Sequence, residues 1–168
     1  MKKITLILLI SIFVFSLFSY SFGNNKIQYK DQKWSRIETL HFDIYYPDED
    51  PEFGEIAALI AEEAYFYLKE DFRTPVVRRM SLFFYKSHKD FETTNIIYPL
   101  LNEGVGGFTE SVKNRVVVPF DGSFRKMEEI VIHELTHAYI NELNKNVSRI
   151  FEGMSFPFWM QEGLPEFM

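Results

Sequence analysis

His133 and His137 stand four residues apart in an apolar stretch, with Glu134 directly after the first of them, spelling His133-Glu134-Leu135-Thr136-His137. On a helix, positions i and i+4 lie about one turn apart on the same face, so both imidazoles can be aimed at one point. That is how H-E-x-x-H supplies two corners of a tetrahedral zinc site, and a carboxylate beside the first histidine can take a proton from a water on the metal. The chemistry implied is metal-assisted hydrolysis with Glu134 as the base. The competing account is a chance pentapeptide on a core helix. Against it, two of the chain's four histidines fall at this spacing, and buried imidazoles without partners are costly.

A catalytic zinc keeps three protein ligands and leaves a fourth position for water. The chain has no cysteine, so thiolate ligands are excluded and the third donor is a histidine or a carboxylate. Glu162 is the candidate, because Trp159-Met160-Gln161-Glu162-Gly163-Leu164-Pro165-Glu166 reads as a second helix one loop downstream that can pack against the motif helix.

H-E-L-T-H followed by W-M-Q-E-G-L-P-E-F resembles the gluzincin metallopeptidases, which bind zinc through two histidines and a glutamate. The resemblance implies zinc as cofactor, a peptide or protein as substrate, and Glu162 as the third ligand. It also implies that Glu166 supports the first histidine from outside the ligand set. G-V-G-G-F-T-E before R-V-V-V-P-F-D-G is similar, more narrowly, to the exported bacterial peptidase MA-like proteins, many of which continue into a TolB-like β-propeller. In such enzymes the strand before the motif helix is the sheet edge that pairs with substrate, a role that falls on Arg115 to Phe120. The resemblance covers most of Tyr29 to Met168. Two departures stand out: Pro165 replaces a common alanine, and the chain ends before the Tyr or His that usually stabilises the oxyanion. The expectation is therefore a zincin-like domain incomplete at its C-terminus, either a truncated reading frame or one fragment of a longer protein.

The remaining residues must build a scaffold for the two helices. At 168 residues, 46% hydrophobic and 17% aromatic, the chain has apolar material for one packed core and too little length for two large ones. Residues 1–23 read separately, because Lys2 and Lys3 precede a mostly apolar run from Ile4 to Phe18, and Ser19, Ser21 and Gly23 follow. This is the pattern of a secretory signal peptide, and a run of about 15 residues falls short of the roughly 20 that span a membrane. The expectation is export to the periplasm or beyond, with a domain over 24–168. A net charge of −6 argues against nucleic acid as partner, since phosphates call for a basic face.

Trp34 to Tyr46 alternates loosely and predicts one or two strands, closed by Pro47 and the acids Asp48 to Asp50. From Glu52 to Phe72, Phe53, Ile56, Ala57, Ile60, Ala64, Tyr67 and Leu68 form the stripe of an amphipathic helix. Val76 to Tyr85 predicts a strand with Leu82 and Phe84 on one side, and Ser87 with Asp90 resembles a capping box. After the loop Asn102 to Gly107, Phe108 to Glu110 and Arg115 to Phe120 read as a hairpin, with Pro119 pointing to a sheet edge. Ser123 caps the motif helix, expected to run to about Leu143, and Asn144 to Ser155 reads as a loop. Trp159 is expected as a core anchor, His41 as structural, His88 as solvated, Glu129 as exposed, and Tyr45, Tyr46 and Tyr139 as core.

The fold class expected is α+β, a small mixed sheet of four or five strands packed on the motif helix, which the resemblance likens to the N-terminal zincin subdomain of thermolysin-like enzymes. The function expected is zinc-dependent hydrolysis of peptide bonds. A non-catalytic exported binding module on the same scaffold, or an inactive fragment, is the alternative; the intact Glu134 counts against it and the missing oxyanion donor for it.

Overall fold

A computed structural model describes residue 26 and residues 31–73, 75, 78–97, 100–101, 104–150 and 155–168. The signal-like segment 1–23 lies outside the described residues. In strand β2 (Phe42–Pro47), Phe42, Ile44 and Tyr46 are buried while Asp43 and Tyr45 are half-buried, the period of two that a pleated strand imposes. It pairs antiparallel with β1 (Trp34–Glu38), the turn between them closed by Thr39, whose hydroxyl accepts from Phe42 N at 3.0 Å.

Helix α1 (Pro51–Phe72) starts where Asp50 Oδ1 accepts from Phe53 N at 3.0 Å and Pro51 fills the first turn, in which its missing N–H would have no partner. It stops at Arg73, whose φ of 49° is left-handed. The expected stripe is present with one exchange: Tyr65 is buried in it, while Tyr67 is 53% exposed. A parallel neighbour needs a long crossover, and α1 supplies it between β2 and β3 (Met80–Tyr85), which places Leu82 opposite Ile44. Helix α2 (His88–Glu92) follows, Ser87 Oγ accepting from Asp90 N at 3.1 Å. Then come β4 (Phe108–Glu110), β5 (Arg115–Pro119), α3 (Phe124–Ile150) and α4 (Phe158–Phe167).

The sheet order is β1-β2-β3-β5-β4, with β2, β3 and β5 parallel and the two outer strands antiparallel to their neighbours. The architecture is thus α+β with a small mixed sheet. Helices α1 and α3 share one core with it, where Ile44, Leu82, Phe84 and Val116 meet Ala57, Leu68, Leu135 and Tyr139. A smaller cluster packs Tyr85, Phe91 and Val117 with Trp34, Phe83 and Phe108. Among the described residues no helix is long and apolar enough to cross a membrane.

Three expectations are corrected. The strand Arg115 to Phe120 is not an edge: β5 has β3 on one side and β4 on the other. Pro119 is tolerated because the ladder to β4 stops at Val117, so no partner there asks for its missing N–H. The motif helix runs past Leu143 to Ile150, since Asn144 to Ile150 contain no glycine or proline and Lys145 pairs with Glu142 at 2.9 Å. Trp159 is 74% exposed rather than a core anchor. The inward stripe of α4 is instead Gln161, Leu164, Pro165 and Met168, four and three residues apart, with Pro165 the buried member. The helix continues through Pro165 to Phe167.

Gly54 shows how tightly α1 sits on the sheet, because a Cβ there would lie 2.5 Å from Cζ of the buried Tyr46 ring. Alanine gains about 0.5–1 kcal/mol over glycine inside a helix, but overpacking costs about 1–3 kcal/mol. Gly54→Ala is therefore expected to lower the urea midpoint at unchanged m-value, whereas Gly163→Ala in α4, with nothing within 4 Å of the new carbon, should raise it or leave it in place.

Candidate active site

The motif helix is oriented by its cap and its apolar stripe. Ser123 Oγ accepts from Lys126 N at 3.3 Å at its start, and Met127, Val131, Leu135, Ala138 and Tyr139 are buried in the core. With that stripe inward, His133 and His137 come out half-buried on a neighbouring face, ring centroids 5.1 Å apart and planes at 72°. Neither ring makes a hydrogen bond among the described residues. Burial, with His133 adding to it, holds the pKa of His137 below the usual histidine value, while the charges of Glu162 and Glu166 oppose the shift. Neutral imidazole is the form that ligates a metal.

Glu134 is 7% exposed. Burial pushes its carboxyl up to about 7, a hydrogen bond from Thr109 pulls the other way, and the charge of Glu162 adds to the rise. Thr109 lies in the middle of β4 and brings Oγ1 to 2.8 Å from Glu134 Oε2 and 2.7 Å from the backbone oxygen of Glu134. A hydroxyl has a single proton, so it donates to one of these acceptors at a time.

The hairpin that carries Thr109 is tied to α3 a second time. Asn114, buried with φ 57°, donates from Nδ2 to Ala138 O at 2.9 Å and to Glu142 Oε1 at 3.2 Å, and its Oδ1 accepts from Asn141 Nδ2 at 3.2 Å. Asparagine tolerates this left-handed conformation better than most residues. Glu110 closes the hairpin, accepting from Val112 N at 2.6 Å, Lys113 N at 3.1 Å and Arg115 Nε at 3.0 Å. At Gly107 a Cβ would lie 2.9 Å from Ile130 Cγ2 and 3.2 Å from Glu134 Cγ, so any side chain there would press on the base. The same loop helps line a cleft of about 390 Å³ with His88, Pro119, Asp121, Lys126 and Ile130, and Ile130 is one turn before Glu134.

The structure thus brings His133, Glu134 and His137 together. Glu162 and Glu166 lie on exposed positions of α4, which packs on α3. The charge of Glu162 is felt at both Glu134 and His137, and that of Glu166 at His137. Among the described residues no three His, Asp or Glu side chains close into a metal-holding group. Two imidazoles and a carboxylate are a donor set that zinc takes; here the two rings stand together without hydrogen bonds among the described residues, and the charge of Glu162 acts on His137. His41 is structural, its Nδ1 2.7 Å from Glu62 Oε2 and its ring stacked on Tyr65. His88 is half-buried at the cleft, and Glu129 is exposed beside Arg125.

Sequence reasoning missed Thr109, Asn114 and the close approach at Gly107. Asn114 left a signal, since asparagine at the end of a hairpin turn favours the left-handed region; Thr109 left none, because its partner is 25 residues away. In comparisons with known proteins, no family model matches the chain and no curated protein matches it.

The hairpin should register acid. Burial alone would raise the pKa of Glu110, but the N–H groups of Lys113 and Val112 and the Arg115 guanidinium outweigh it and hold the carboxyl below its usual value. A carboxyl so depressed stabilises the fold above its unfolded pKa, and that contribution disappears as pH falls through the folded value. Glu110→Gln is expected to be less stable than the parent chain at pH 7, the difference shrinking below about pH 4 in denaturation curves taken across pH.

Proposed function

We propose that the chain is a zinc-dependent metallopeptidase of the gluzincin type, hydrolysing peptide bonds with Glu134 as general base. The observation that carries this reading is the grouping on one turn of α3 of two half-buried imidazoles, free of hydrogen bonds among the described residues, and a buried carboxyl held by Thr109, with Glu162 in electrostatic reach from α4. His133, His137 and Glu162 would hold the zinc, with Glu166 supporting the set. When bound, the ion would polarise the scissile carbonyl and lower the pKa of a water toward about 7.

The chain's own part is proton transfer and placement. Glu134 takes a proton from water as the water oxygen bonds to the carbonyl carbon, and returns it to the amine nitrogen as the C–N bond breaks. With β5 paired on both sides, the place for a substrate strand passes to the outer edge of β4, which among the described residues is paired only with β5. Thr109 in that strand touches the base, so a peptide added there would lie beside Glu134. The cleft at Ile130 has room for a substrate side chain. Residues 1–23 support a site of action in the periplasm or outside the cell.

Glu134→Gln is expected to keep zinc while hydrolysis of casein falls at least about 100-fold. The parent activity should vanish with a chelator and return with zinc. Unchanged turnover in the variant would remove Glu134 from the reaction, and a zinc-loaded parent chain that cuts no peptide would favour the binding module. Glu162→Ala should lower zinc content by elemental analysis. Stoichiometric zinc in that variant would place the third ligand elsewhere.

A further inference from the structure

We infer that Thr109 is the positioning residue of the base: its hydroxyl holds Glu134 Oε2 against strand β4 and so assigns the other oxygen, Oε1, to the reacting water. The inference rests on the peptidase reading of the site.

A glutamate side chain has three rotatable bonds, and a base that must meet one water in one direction needs them stopped. Among the described residues the only hydrogen bond to the Glu134 carboxyl comes from Thr109, at 2.8 Å to Oε2. No hydrogen bond reaches Oε1 among the described residues. The two oxygens therefore differ: Oε2 is held by the strand, and Oε1 is the one left for the water.

Thr109 is suited to this task by its own restraints. Its branched Cβ limits χ1, and its backbone is paired in the ladder opposite Val116. Its hydroxyl also lies 2.7 Å from the backbone oxygen of Glu134, so the oxygen that meets the carboxyl is referenced to the helix from which that carboxyl projects. Glu110 and Asn114 brace the hairpin on either side of the turn, and the backbone at Gly107 closes on the Glu134 stem from another direction. A merely structural threonine would need only its contact with the carbonyl. The second contact, to Oε2, is the one with a consequence for chemistry.

The test uses the full chain with Thr109→Val, which keeps the shape and removes the donor, and Thr109→Ser, which keeps the donor. Thr109→Ala carries the same expectation as valine if the valine variant does not fold. Three quantities are read: zinc content, kcat and KM on an internally quenched peptide cut by the parent chain, and the ¹³C resonance of the Glu134 carboxyl in zinc-free protein, assigned by its loss in Glu134→Gln. Expected for valine are full zinc content, a shifted carboxyl resonance, and kcat lower by about 10- to 100-fold with KM within about twofold. Serine should restore both the resonance and most of kcat. Parental kcat in the valine variant, a loss confined to KM, an unmoved resonance, or zinc lost together with activity would each overturn the proposal. If the parent chain with zinc cuts no peptide, the peptidase reading fails and takes this role with it; if the parent cuts and the valine variant matches it, only the role of Thr109 fails.

Discussion

The β4–β5 hairpin meets α3 at the carbonyls of Glu134 and Ala138: the Thr109 hydroxyl lies within hydrogen-bond distance of the first and shares its one proton between that oxygen and Oε2, and Asn114 donates to the second. The two carbonyls lie four residues apart, hence one turn apart on one face, so the hairpin grips the helix at two points along a single line. A grip of that kind sets both the rotation and the axial position of α3 against the sheet. One residue of slip would turn the helix by about 100° and carry Glu134 away from β4. The placement of His133 and His137 follows from the same restraint, because they leave the helix beside these carbonyls.

Hydrophobic packing alone would hold α3 less specifically. Met127, Val131, Leu135, Ala138 and Tyr139 supply the buried stripe, yet apolar contact is non-directional and tolerates small rotations that a hydrogen bond at 2.7–2.9 Å does not. The division of labour is physical: the stripe keeps α3 on the sheet, and the hairpin decides which way its polar groups face. The consequence at Glu134 is electrostatic. Burial places its carboxyl where the charged form is disfavoured, and the Thr109 hydroxyl returns part of that stabilisation.

Pro119 suggested an edge strand, but edge or interior is a property of neighbours, and β4 needs only Arg115 to Val117 to cover β5. Trp159 suggested an anchor because large aromatics usually bury, but α4 turns Gln161, Leu164 and Pro165 inward instead. Asn144 to Ser155 reads as a loop from polarity alone, while the absence of glycine and proline from Asn144 to Ile150 lets the helix run on through that part. In each case a local preference was overruled by how one segment meets another.

What the sequence by itself determined is the set of features that depend on near neighbours along the chain. The i, i+4 histidines with Glu134, the caps at Ser87 and Ser123, the alternation in β2 and β3, and the α1 stripe all follow from backbone periodicity and from polar groups within a few residues. Only the tertiary structure decided that Thr109 meets Glu134, that β4 rather than β5 ends the sheet among the described strands, that a side chain at Gly107 would press on Ile130 and Glu134, and that the charge of Glu162 acts on the base from a separate helix. Those contacts join segments some 25 residues apart or more, for which no periodicity exists; their geometry follows from the packing of sheet and helices as a whole.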